Sequence, residues 1–179
     1  MKIFYVYLIS TCLFINVSAQ SLSVTDEGSS VSFVIKNFGI KTTGSLKGLK
    51  GNITFNPKEL AKSIINVSVN ANTIDTDNKA RDKHLAKAEY FDVIKFPTIN
   101  FLSTKITESN IPNRFFVVAN LTIKGITKQV QFGFTATSVS TGWLLMGNFD
   151  INRRDFAVGD KSFALAEMLK VSLSVTAKN

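Results

Sequence analysis

Apolar and polar residues alternate with a period of two along most of this chain. Val31, Phe33 and Ile35 point one way, Ser32 and Lys36 the other. The same alternation runs through Ile65, Val67, Val69 and Ala71, and through Phe115, Val117, Ala119, Leu121 and Ile123. It continues in Val130, Phe132, Phe134 and Ala136, opposite Gln131, Gly133 and Thr135. Trp143, Leu145, Phe149 and Ile151 repeat it, and Val171, Leu173, Val175 and Ala177 close the series. Successive side chains of a strand project to opposite faces, so each run predicts a strand with one buried and one solvated face. Two further strands are expected over about 45–55, where Gly48 and Gly51 suggest bulges, and over about 98–106. Gly125, Thr141-Gly142 and Ile111-Pro112-Asn113 supply turns between them.

Three segments break the alternation. Asn56-Pro57-Lys58-Glu59-Leu60 predicts an N-cap, a first-turn proline and a short helix. Residues 75–91 place Ala80, Leu85, Ala88 and Phe91 near one helical face, with Asp77 as the expected cap and Pro97 ending the connection. Residues 156–168 form a third non-strand piece that carries Phe163, Leu165 and Ala166.

About eight long antiparallel strands pose an edge problem, because exposed edges invite pairing with other chains. The sheet must close into a barrel or split into two packed layers. A closed eight-stranded barrel is filled by side chains or holds one small ligand. The pattern alone leaves both a hollow barrel and a packed sandwich open.

Residues 1–19 read as a secretory signal peptide: Lys2, a mostly apolar run from Ile3 to Val17, then Val17-Ser18-Ala19 as the cleavage pattern. The mature domain is expected to span 20–179 and to be exported, to the periplasm or beyond the cell. Its one cysteine, Cys12, falls within the leader, so the mature domain has neither disulfides nor a cysteine-based zinc cluster. The formal charge is +8, with lysines spread along the chain rather than clustered. That excludes a nucleic-acid footprint and leaves a solvated basic surface with weak attraction to anionic membranes. No linker divides the chain, so one domain is expected.

Residues 72–101 carry Ile74-Asp75-Thr76, then Arg81-Asp82-Lys83-His84-Leu85, then Tyr90-Phe91-Asp92, then Pro97-Thr98-Ile99-Asn100-Phe101. Together with Val31 to Lys36, Gly51 to Phe55, Leu121 to Lys128 and Arg153-Arg154-Asp155-Phe156, this closely resembles the YceI-like polyisoprenoid-binding family over about residues 22–177. The sequence departs from that pattern at Tyr90, where Phe is usual, and at Ala157, where Gly is usual and Ala resists positive φ. The resemblance implies an all-β, lipocalin-like barrel of eight antiparallel strands, with a short helix and a helical or loop connection between strands. It also implies a non-enzymatic carrier that holds an amphiphilic polyisoprenoid or isoprenoid-quinone lipid as ligand, with no cofactor required. A homodimer is compatible with it.

On that basis Phe33, Phe55, Phe101, Phe115, Phe132, Phe134, Trp143 and Phe149 are the expected tunnel lining, with ordinary core packing as the alternative. Phe156 and the Tyr90-Phe91 pair are expected to frame or plug the barrel, with ligand contact as the further role. Arg81, His84 and Arg154 are candidate contacts for a polar head group. Arg81, Asp82, Asp75, Arg154 and Asp155 could also form one ion-pair network at a barrel end. His84 is the only histidine. Without companion ligands it makes no metal site, and without a nucleophile motif it makes no catalytic group, so no catalytic residue is assigned. The alternatives are an enzyme acting on a lipid-like substrate through Arg81, Asp82 and His84, and a structural, stress-linked envelope protein.

Overall fold

The computed structural model describes residues 20–179; the expected signal peptide lies outside the described residues. Nine strands run in chain order: β1 (Ser21–Val24), β2 (Ser30–Asn37), β3 (Ile40–Thr54), β4 (Ile64–Asp75), β5 (Thr98–Glu108), β6 (Arg114–Ile123), β7 (Ile126–Val139), β8 (Gly142–Asn152) and β9 (Leu165–Lys178). One helix, α1 (Lys79–Leu85), lies between β4 and β5.

From β2 to β9 each strand pairs antiparallel with the next. β9 then returns to β2, from Ser30 opposite Ser174 to Asn37 opposite Leu165. This is the expected eight-stranded antiparallel barrel, and closure removes the edges that so long a sheet would expose. The ninth strand, β1, pairs with β3 through Ser21 opposite Thr54 and with β9 through Val24 opposite Ala177. It extends the slot of β2 where β2 stops, so the barrel stays sealed between β3 and β9.

The inward faces are those the alternation marks: Val117, Ala119 and Ala177 are almost fully buried. β3 begins at Ile40 rather than near 45, and its bulge carries a left-handed Gly48. The amides of Gly48 and Leu49 leave the ladder and donate instead to the two carboxylate oxygens of Asp26, each at 2.8 Å.

The short elements differ in detail from expectation. Asn56 accepts a hydrogen bond from the Lys58 amide, and the predicted helix is only a 3-10 turn over Leu60–Lys62. Asn78, not Asp77, caps α1 by accepting from the Arg81 amide at 3.0 Å. Asp77 lies just outside with a φ of +58°, a conformation that Asp tolerates. A second 3-10 turn, Arg153–Phe156, ends β8. Both long connections, 76–97 and 153–164, therefore lie over the same end of the barrel.

Candidate functional site

The barrel interior is not filled. A hollow of about 510 Å³, partly open to solvent, runs inside the strands, within the roughly 300–1,000 Å³ typical of small-molecule sites. Phe33, Ile35, Phe132, Phe149, Val171 and Leu173 point inward yet stay half-buried rather than buried, because their free surface is the cavity wall. On β9 the wall runs from Leu165 to Val175. At about 3.3 Å per residue and a strand tilt near 40°, that makes a channel of about 25 Å along the axis. Its surface is overwhelmingly apolar.

The two ends differ. Away from the long connections, Phe55 packs edge-on against Phe115 and Trp143, each ring centre 5.1 Å away, and Phe134 closes on it at 6.0 Å. These rings fill the barrel. Phe55, Phe115 and Trp143 therefore do not line the hollow, contrary to expectation, while Phe33, Phe101, Phe132, Phe134, Phe149 and Phe156 do. Period-two alternation marks which side of the sheet a ring occupies, but not its height along the barrel. Phe132 and Phe149 stack face to face at 4.3 Å on the open stretch.

The arginines and the histidine of the wall are at the other end, where Thr76, Arg81, His84, Tyr90 and Arg153 are carried by the two connections. The Arg81 Nε donates to the Thr76 hydroxyl at 2.7 Å and its Nη2 to the Thr76 carbonyl. Asp82 accepts from the Thr76 hydroxyl at 2.6 Å and from its amide at 2.9 Å. The hydroxyl bond holds the Asp82 carboxyl below its ordinary range. His84 turns instead onto the Tyr90 ring at 4.8 Å. Asp82 is thus engaged by Thr76, and the orienting bond to His84 that general-base chemistry would use is not formed.

The expected single charged network is two separate knots. Asp75 and Asp82 lie 3.8 and 3.9 Å from Lys79 at the α1 knot. Arg154 belongs to the other, donating to the Gly159 carbonyl and standing 3.6 Å from Asp160, outside the cavity wall. Its neighbour Arg153, which sequence reasoning passed over, turns inward and is 4% exposed. Arg153 donates to the carbonyls of Val158 at 2.7 Å, Asp160 at 2.9 Å, Ala166 at 3.0 Å and Leu165 at 3.3 Å. Burial, with Arg154 alongside, lowers its pKa from the usual guanidinium value. Asp155 points to solvent.

A family model of the YceI-like domain matches residues 22–177. A UPF0312 protein of Enterobacter sp. (strain 638) is 38% identical over 101 residues, 56% of this chain and 52% of that protein. Protein YceI of Salmonella arizonae is 37% identical over the same shares. The chain thus spans about half the length of the curated relatives it matches. Among solved structures, Burkholderia cenocepacia BcnA superposes with a TM-score of 0.80 at 24% identity, covering 85% of this chain and 98% of that one. A polyisoprenoid-binding domain from Saccharophagus degradans, implicated in plant cell wall breakdown, gives 0.69 at 12% identity, covering 87% and 97%. At these identities the structural likenesses carry the fold.

Proposed function

This chain belongs to the YceI-like family, and from that premise we propose that it is an exported, non-enzymatic carrier that holds an isoprenoid-type lipid lengthwise in its barrel. The observation that carries this reading is the elongated apolar hollow whose arginines and histidine, Arg81, His84 and Arg153, lie at one end. Such a shape suits a long hydrocarbon tail with a small polar head. Each buried CH₂ contributes about 0.8 kcal/mol, so several prenyl units supply a large driving force before the cost of association. A preformed, mostly Phe, Val and Leu wall binds by shape and area, which fits a ligand with few hydrogen-bonding groups. Arg81 and His84, both on the wall at that end, are the proposed contacts for the head. The related fold of a polyisoprenoid-binding domain supports the ligand class, and the leader pattern in residues 1–19 supports export.

The test is extraction of the purified protein into organic solvent, followed by mass spectrometry and reloading with a prenyl quinone. A co-purifying or reloaded prenyl lipid at about one per barrel is expected. Failure of the emptied protein to take up any prenyl lipid sinks the reading. His84→Gln separates the enzymatic alternative: loss of a turnover that wild type shows, with lipid uptake kept, would favour an enzyme.

A further inference from the structure

We propose that the rim formed by the β2–β3 hairpin tip and the 160–164 loop is a docking surface for an anionic lipid bilayer. Three large apolar side chains stand in solvent there: Phe38 is 72% exposed, Ile40 73%, and Phe163 fully exposed. Folding does not account for them. Asn37 pairs with Ile40 across a two-residue turn in which Phe38 has a φ of +48° and Gly39 of +77°. Such a turn favours Asn-Gly, and a bulky residue at positive φ is strained. Phe38 bears that strain without burying its ring. The Phe38 amide donates to the Ala164 carbonyl at 2.8 Å, which ties the Phe163 loop to the hairpin tip. The hairpin also projects, because the first pair between β3 and β4 is Ser45 opposite Asp75, so Ile40 to Gly44 extend past β4.

Charge selects the occupant. Lys36 and Lys41, both exposed, sit directly opposite each other at the hairpin, a like-charge pairing that weakens a ladder. Lys161 flanks Phe163. Two acids share the area: Asp160, which lies beside Arg154, and Glu167 on β9. The sum stays positive on a chain of formal charge +8. Protruding aromatic and aliphatic tips ringed by lysines match the interface of an anionic bilayer, where the tips enter the headgroup boundary and the lysines meet lipid phosphates. A second copy of this chain would set lysine against lysine. Asn37, Ala164 and Leu165 beside the tips belong to the cavity wall, so docking brings that end of the hollow against the membrane. The inference goes beyond the carrier reading, because docking needs no ligand in the barrel.

The test is flotation of the protein with phosphatidylcholine vesicles containing about one part in four phosphatidylglycerol, against phosphatidylcholine alone. Binding to the anionic vesicles, weakened by salt, is expected. The double variant Phe38→Asn, Phe163→Ser should bind at least about tenfold more weakly. Asn suits the left-handed position, so this variant should fold and unfold at no lower temperature than wild type. Its uptake of prenyl quinone should be unchanged, which separates failure of docking from failure of the carrier reading. No vesicle binding by wild type, or equal binding by the double variant, overturns the proposal. So does a wild-type dimer in sedimentation that the double variant abolishes, since the tips would then serve a second copy.

Discussion

Phe33 lays its ring across the face of Gly44 on the neighbouring strand, so close that a β-carbon at Gly44 would come within 3.0 Å of three ring carbons. The two residues are register partners in the β2–β3 ladder. Gly44 has an ordinary backbone conformation, so its lack of a side chain serves the ring rather than the chain path. The vacant side-chain position lets Phe33 lie flat against the wall and leaves the hollow beside it free. Gly44→Ala should push the ring into the cavity. The expected cost is about 1–3 kcal/mol, typical of overpacking, with reduced capacity for a prenyl ligand. Thermal unfolding and lipid stoichiometry measure both, and unchanged stoichiometry would show that Phe33 does not set the width of the channel.

Arg153 holds the second connection through main-chain carbonyls, with no direct ion pair to a carboxylate among the described residues. Its guanidinium gathers the carbonyls of Val158, Asp160, Leu165 and Ala166, which would otherwise lie beside an apolar cavity. Arg153→Met keeps the bulk and removes the donors. It should destabilise by about 3–5 kcal/mol, the range for stranding several buried polar groups. Arg153→Lys should recover only part of this, because an ammonium lacks the planar fork. Urea unfolding measures the loss, and amide exchange should rise first across 157–166. A loss no greater in Met than in Lys would mean that packing of the stem, not donation, matters.

Ala157 adopts a φ of +52° as it leaves the 3-10 turn. This is the departure that the sequence raised as a strain on the backbone, and the structure places it in the left-handed region. Ala157→Gly should therefore stabilise by about 0.5–1 kcal/mol, the relief at φ exceeding the entropy that glycine adds to the unfolded chain. The Lys124 Nζ bond to the Ala157 carbonyl, at 2.8 Å, should survive. A lower melting temperature for the glycine variant would contradict this account.

Strand phase was legible because burial on one face imposes a period of two, and every alternating run named from the sequence faces inward as expected. What escaped was information that alternation does not carry. β1 is four residues long, too short to show a period. The start of β3 reads Lys41-Thr42-Thr43-Gly44, polar or bare on both faces, because Phe33 fills the inward space that Gly44 leaves. Arg153 and Arg154 are adjacent and chemically alike; which one turns inward depends on the turn that ends β8. Likewise Phe55 and Phe132 share the inward side, and only the closed barrel shows that one plugs an end while the other lines the channel.

Two carboxylates should govern the acid limb of stability. Asp26 accepts the Leu49 and Gly48 amides, and those bonds hold its carboxyl below the ordinary value of 3.8. Asp82 is lowered in the same way by Thr76. A group whose pKa is lower folded than unfolded takes up its proton more readily in the unfolded chain. Its contribution is therefore complete above the unfolded value, about 3.9, and is lost as pH falls through the lower folded value. Between about pH 5 and 7 these two groups should leave stability level, with the decline beginning near pH 4. Asp26→Asn combined with Asp82→Asn should lower stability at neutral pH and flatten that decline, since Asn has no charge to lose. Denaturant midpoints followed from pH 7 downward read this directly. An acid limb equally steep in the double variant would place the sensitivity in other carboxylates, and a decline shared with only one single variant would assign it to the bulge clamp or to the α1 knot.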